Sequence, residues 1–338
     1  MNLWYLATDA IAGAATVFPV GALFAKGGRV VAMESWTIDG GNGPDDYFAI
    51  LTSRGEMAVY AGTDPASAST WSLVGVYYVG TPVGNRPLTK VGGDLYILTK
   101  MGIFPASFFL QTSVIEVNKA VTAKIQTAFL EYVETYGSVI GWQMTVFPGG
   151  NFLVVNVPTS VGTSIQLVMN LTTKSWCRFM NWNASAFVVA NEELYYAGTT
   201  KTYHAWSGTS DSGTAITGEV IQAYNNFRYS TQAQVSMVRP HLSMTGSATV
   251  LYSIDTDFRL IGDPSLISYL GTDGIGFWDS GVWDTALWGG ELQTLKPTWF
   301  SVISELGYLH AFRLKMISAN SVVNWTATNF LVSQAGVL

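Results

Sequence analysis

Apolar residues along this chain fall mostly into short runs, alternating or nearly continuous, that end at Gly, Asn, Asp, Ser or Lys. Runs at Tyr47–Thr52, Met57–Tyr60, Leu73–Val79, Leu95–Thr99, Phe152–Val157, Ile165–Asn170, Ala186–Ala190 and Leu194–Ala197 are rich in Val, Ile, Tyr and Phe and predict strands. Three segments share one plan, a strand that turns at Gly or Lys and returns: YFAILTSRGEMAVY (47–60), LYILTKMGIFPAS (95–107) and LYYAGTTKTYHAW (194–206). These read as hairpins. Their spacing of about 40 to 50 residues is that of β-propeller blades, and Gly28 to Asp211 leaves room for about four. Residues 1–211 are therefore expected to form a propeller-like β region.

One segment breaks the pattern. Val117, Val121, Ile125, Phe129, Tyr132 and Val133 recur at the three-and-four spacing of an amphipathic helix over about 114–136. Ser113 with Glu116 makes a capping box, and Gly137 a stop. This helix is expected across the outside of the sheets or against a neighbouring subunit. After the Ser/Gly/Thr/Asp stretch 207–214, which reads as a linker, longer strands follow at Ile216–Tyr224, Gln234–Leu242, Ala248–Asp255, Phe300–Ile303, His310–Ser318 and Val322–Ala327. Residues 212–338 are expected to form a β-sandwich or barrel-like region with a Trp-rich loop at 277–290. The fold class is mainly β: propeller-like repeats with one inserted amphipathic helix, then this C-terminal β region.

Composition narrows the functional classes. Charged residues make only 12% of the 338, hydrophobic residues 49%, and the mean hydropathy is +0.26; soluble domains average about 25% charged. The longest uncharged stretch, Ala10–Ala25, is interrupted by Gly13, Pro19 and Gly21 and preceded by Asp9. It falls short of the roughly 20 residues that span a bilayer and lacks the basic flank of a secretion signal. No membrane-spanning segment is expected. So apolar a chain predicts extensive burial between subunits, that is, a permanent oligomer. A net charge of −6 and a pI near 5.0 disfavour tight DNA binding, although DNA can pass such a surface without adhering. Cys177 is the only cysteine, which excludes an intrachain disulfide and reads as an ordinary buried thiol.

Candidate chemistry is sparse. His204, His241 and His310 lie far apart, and no nucleophile elbow, phosphate loop or zinc-protease motif occurs. The expectation is a protein without catalytic residues, metal or cofactor, and not an enzyme. Asp39, Asp45 and Asp46 within DGGNGPDD read as a tight turn in preference to a calcium loop, whose spacing they lack. Asp255 and Asp257 would share one face of a strand, and the α/β setting of a metal-dependent sugar transferase is missing. The strongest local feature is FWDSGVWDTALWGG (277–290), where Trp278-Asp279, Trp283-Asp284 and Trp288 recur at five-residue intervals. These side chains are candidates either for a partner interface or for stacking on glycans.

The segments NLWYLATDAIAGAATVFPVGALF (2–24), GEMAVYAGTDPASASTWSLVGVYYVGTPVG (55–84), VGGDLYILTKMGIFP (91–105), TKSWCRFMNWNA (173–184) and WDSGVWDTALWGG (278–290) resemble tail proteins of short-tailed, podovirus-type bacteriophages and related prophages. The resemblance is to the tail hub, or nozzle, family. It implies propeller-bearing subunits in a closed homo-oligomeric ring, usually a hexamer, contacting adaptor or portal-side tail proteins and tail fibres or spikes. It implies a virion protein made in the host cytoplasm, a structural conduit that retains the genome and releases it by DNA ejection. The alternative is a host receptor- or glycan-binding tail protein that uses the Trp278 to Trp288 aromatics. Nozzle proteins are often longer than this chain.

Overall fold

The structure, a computed structural model, describes all residues except 8, 40–43, 63, 68, 113, 229–230, 245–247, 261–264, 268–292, 295–297 and 335–338. It is mainly β, and the chain divides into two compact units, Met1–Trp206 and Ser207–Leu338. The expected boundary at 211/212 falls just inside the second unit.

The first unit opens with a hairpin, β1 (Asn2–Tyr5) and β2 (Thr16–Pro19), so the uncharged stretch Ala10–Ala25 supplies a strand and a 3₁₀ turn. Four antiparallel meanders follow in chain order. Sheet 1 is β3 (Val30–Asp39), β4 (Pro44–Thr52), β5 (Glu56–Ala61) and β6 (Ser72–Tyr78), and sheet 2 is β7 (Leu88–Val91), β8 (Asp94–Thr99) and β9 (Gly102–Pro105). Sheet 3 is β10 (Gln143–Phe147), β11 (Phe152–Ser160), β12 (Thr163–Asn170) and β13 (Trp176–Phe179); sheet 4 is β14 (Ala186–Ala190), β15 (Glu193–Ala197) and β16 (Thr202–Ala205). All three expected hairpins are present, as β4–β5, β8–β9 and β15–β16. In the first, the turn closes at Gly55 with φ +81°, where a Cβ would lie 2.5 Å from the Gly80 backbone, so both the turn and the close approach require glycine.

Side-chain alternation stacks the sheets face to face. Along β4, Ala49 and Leu51 join a core with Leu95 and Ile97 of β8, whereas Ile50 faces Val20 and Phe24 after the N-terminal hairpin. Along β8, Leu98 turns the other way, toward Leu153 and Val155 of β11. Along β11, Phe152 and Val154 face Phe187 and Leu194 of sheet 4. Strands buried on both faces lose the polar alternation of a one-sided sheet, and β11 is buried from Phe152 through Pro158. The layers run hairpin, sheet 1, sheet 2, sheet 3, sheet 4.

Polar side chains fix the register between layers. First strands pack in succession, β3 beside β7, β7 beside β10, and β10 beside β14. Lys90 of β7 lies 3.1 Å from Glu34 of β3. Gln143 of β10 donates to the Phe187 carbonyl at 2.8 Å and accepts the Phe187 N–H at 3.0 Å, so a side-chain amide takes the place of a strand backbone. Behind it, buried Asn156 donates to the Gly141 and Ala184 carbonyls at 2.9 and 3.0 Å, and accepts from Gln166 at 3.0 Å. Gln166 and Ser164 in turn donate to the Trp182 carbonyl. Together they hold the 182–184 connection between sheets 3 and 4.

The expected helix over about 114–136 is corrected. Residues 117–119 and 123–125 form separate 3₁₀ turns; between α1 (Ala106–Gln111), which the pattern missed, and Gly137 the α-helical segment is α2 (Gln126–Tyr136). The break is tertiary in origin. Val121 N–H donates to the Ile103 carbonyl at 2.8 Å and the Thr122 hydroxyl accepts the Ile103 N–H at 3.3 Å, which pulls 120–122 out of helix and onto the β8–β9 hairpin. Glu116 makes no side-chain cap, and Ser113 lies outside the described residues. Gly137 does end α2. Phe129 and Val133 bury α2 against β9 and β11. α1 is held at its start by Asp94, whose carboxylate accepts the Ser107 N–H at 3.2 Å and the Ser107 hydroxyl.

In the second unit, one sheet has the order β17 (Ile216–Ile221), β23 (His310–Ser318), β19 (Thr249–Thr256), β20 (Ser265–Ile267). In the other, β18 (Ala233–Met244) pairs with β24 (Val323–Gln334) along one edge and with β21 (Gln293–Thr294) and β22 (Phe300–Ser301) along the other. Val235, Val238 and Leu242 of β18 share a core with Val250, Ile254, Phe312 and Leu314 of β19 and β23, so the two sheets enclose one apolar layer.

Asn156→Ala should cost about 2–4 kcal/mol of stability in urea unfolding, because the Gly141 carbonyl loses its side-chain donor, the Ala184 carbonyl one of two, and buried Gln166 an acceptor; exposed Ser160→Ala on the same strand should stay within about 0.5 kcal/mol. Equal effects would show that the buried amide network contributes nothing.

Candidate assembly surfaces

A stack of two-sided sheets has two ends. At the first, the N-terminal hairpin closes sheet 1: Phe18 of β2 lies edge-on to Tyr60 at 5.5 Å, and Trp71 stacks on Tyr60 at 5.1 Å. At the other, sheet 4 turns Phe187, Leu194 and Tyr196 inward and leaves its second face open. The cross-strand row Val188, Tyr195, His204 lies on that face, with Val188 55% exposed. The Tyr195 ring stacks on His204 at 5.1 Å, and His204 Nε2 lies 2.7 Å from Glu193 Oε2. An apolar and aromatic row on an uncovered sheet face is the composition of an interface centre.

Edge strands carry further exposed apolar groups. β6 pairs only with β5 among the described residues, and its Leu73, Val74, Val76 and Tyr78 are exposed. In the second unit, among the described residues, β17 pairs only with β23 and exposes Ile216, Val220 and Ile221, while β24 pairs only with β18 and exposes Leu331. Unpaired N–H and C=O groups beside apolar side chains invite another strand, and protein edges are usually blunted with charge or proline. β6 and β24 carry neither within their spans.

The residues singled out in the sequence fare differently. Trp278, Asp279, Trp283, Asp284 and Trp288 lie outside the described residues. β3 and β4 pair up to Asp39 opposite Pro44, and Asp46 accepts the Thr37 hydroxyl at 2.7 Å. The D-x-D pair does not share a strand face. Asp255 is buried in β19, whereas Asp257 follows the strand with φ +48°, and its carboxylate accepts the Tyr308 and Leu309 N–H groups. Buried His310 places Nε2 3.0 Å from the Ala233 carbonyl and Nδ1 3.3 Å from the Thr256 hydroxyl, so both ring nitrogens are engaged within the fold. Among the described residues no three His, Cys, Asp or Glu side chains converge as a metal site requires. No described helix is long and apolar enough to cross a membrane, which says nothing of strands.

Cys177 corrects the expectation of a buried thiol: it is exposed on β13, the edge of sheet 3, because the covering faces of that sheet meet β11 and β12 and leave the edge strand bare. The side-chain flank still in contact with protein raises its pKa above the ordinary thiol value. No family model matches the chain, and no curated protein matches it by sequence.

Cys177 should therefore react fully with a maleimide in the folded chain without denaturant. Its rate should lie below that of free cysteine at pH 7 and keep rising above pH 9, since the thiolate is the nucleophile. A thiol that reacts only after unfolding would contradict its placement.

Proposed function

We propose that this chain is a ring-building structural subunit of a bacteriophage tail, of the nozzle or hub kind, and part of the wall of a conduit for the viral genome. The observation that carries the reading is the open face of sheet 4, which ends a series of sheets otherwise covered on both sides. The succession of first strands, β3, β7, β10 and β14, has the order expected of propeller blades around an axis. On this reading the four meanders are blade-like, and neighbouring copies cover the exposed Val188 row and the apolar edges of β6, β17 and β24. The second unit serves as a further β module for contact with adaptor, portal-side, fibre or spike proteins.

The surface chemistry supports a conduit. A net charge of −6, with few basic groups, keeps a polyanion from adhering while it passes. Copies related by rotation would form a closed ring, a hexamer by the resemblance, through head-to-tail interfaces. Nothing in this role calls for catalytic groups or a cofactor.

Light scattering coupled to size-exclusion chromatography tests the reading. The chain should run as a closed oligomer, alone at high concentration or with its adaptor ring. Val188→Glu should release monomers that keep the wild-type circular-dichroism spectrum, because the side chain is exposed in the single chain. A wild-type chain that stays monomeric under both conditions would sink the proposal.

A further inference from the structure

A groove of about 730 Å³ opens beside sheet 1, between the N-terminal hairpin and the β3–β4 and β7–β8 ends of the first unit. Its size lies within the range of small-molecule sites, about 300–1,000 Å³. Aromatic rings dominate the wall: Trp4, Phe18, Trp36, Tyr47, Phe48 and Trp71. Between them stand Ser35, Thr37, Asp46 and Lys90. Trp4 is 65% exposed, which leaves a large apolar ring face to solvent.

Two of these rings have an unmet requirement. Trp36 is buried and stacked on Tyr47 at 5.3 Å, and Trp71 is stacked on Tyr60; the indole N–H of each is shielded and has no acceptor. Three other described indoles have acceptors. Trp142 donates to the Tyr136 carbonyl at 2.9 Å, Trp176 to the Val121 carbonyl at 3.3 Å, and Trp325 to the Thr328 hydroxyl at 2.9 Å. A buried indole N–H ordinarily finds a partner, so two unpaired donors on residues that line one groove call for an explanation.

We infer that this groove binds an uncharged oligosaccharide. A pyranose offers what the wall lacks, hydroxyl oxygens that accept from indole N–H groups, together with a C–H face that lies flat on a ring such as Trp4. A peptide could also offer carbonyl acceptors, but it lacks the pyranose's combination of hydroxyls set around a flat C–H face that stacks on an exposed indole. A phosphate or acidic sugar would meet no spare positive charge, since Lys90 is paired with Glu34 and Asp46 stands in the same wall. The shielded donors become reachable through side-chain shifts of the size that binding commonly brings, with exposed Trp4 the ring freest to move. This site is separate from the open face of sheet 4 and does not depend on ring assembly.

The test uses the full chain on an immobilised panel of uncharged tri- to hexasaccharides of hexose and N-acetylhexosamine units, followed by titration of the best-retained member. At least one should bind. Trp4→Ala should weaken binding about tenfold with an unchanged melting temperature, since the ring is already exposed. Trp71→Phe, which keeps a ring and removes only the donor, should weaken it about threefold. Retention of no saccharide, or affinity indifferent to Trp4→Ala, overturns the inference. Loss of binding in Trp283→Ala with Trp4→Ala unaffected would place saccharide recognition on the 277–290 segment and also overturn it.

Discussion

Two-sided burial of short sheets is the constraint from which the first unit follows. Each middle strand, β4, β8 and β11, sends alternate side chains into two different apolar layers, so sheets 1, 2 and 3 each depend on a neighbour on both faces. This accounts for the composition. A single sheet packed on one side needs a charged or polar residue at every second position; a sheet inside a stack does not, and the charged share falls to 12%.

Apolar layers alone would not fix how one sheet sits on the next, because the hydrophobic effect is non-directional. Directed polar groups supply that information. Gln143 joins sheet 3 to sheet 4 by imitating a backbone, Glu34 and Lys90 link sheets 1 and 2, and Asn156, Ser164 and Gln166 hold the connection that leads from one sheet to the next. The exposed pair adds little energy, as surface ion pairs do. The buried amides add more, since each carbonyl they satisfy would otherwise lie unpaired in a low-dielectric layer. Their place is at the joints between layers, where slippage would cost the fold its order of sheets.

What the sequence made legible follows from the same physics. The hairpins β4–β5, β8–β9 and β15–β16 could be read because a turn residue and the strands on either side of it form a local signal. Strand β23 could be read because its apolar run is bounded on both sides. The segment 117–125 was misread, since its helical spacing is genuine but Thr122 and Val121 bond to Ile103 across the chain. Short edge strands such as β7 and β13 gave no signal, their pairing being set by the strand beside them. The candidate surfaces were the least legible. AFVVA (186–190) and SLVGVYY (72–78) are as apolar as strands buried on both faces, and only the arrangement of layers shows that one lies at the end of the stack and the other at an edge. The unpaired N–H groups of Trp36 and Trp71 are invisible to sequence for the same reason: a missing partner is a property of neighbours brought together by folding.

The two ends of the stack are chemically unlike, and that difference bears on how copies of the chain could associate. One end is sealed by the chain's own hairpin through Val20, Phe24, Phe18 and Trp71; the other presents Val188, Tyr195 and His204 on an uncovered sheet. Two copies meeting through the open face alone would pair like with like and stop at a dimer, the isologous case. A ring instead needs the open face of one copy to meet a different surface of the next. The exposed apolar strand β6 lies on sheet 1, at the opposite end of the layer order from sheet 4, and offers such a surface. The ring reading therefore requires the Val188 row to meet a different surface of the next copy, for which β6 is one candidate, in a heterologous pairing that a twofold dimer would exclude.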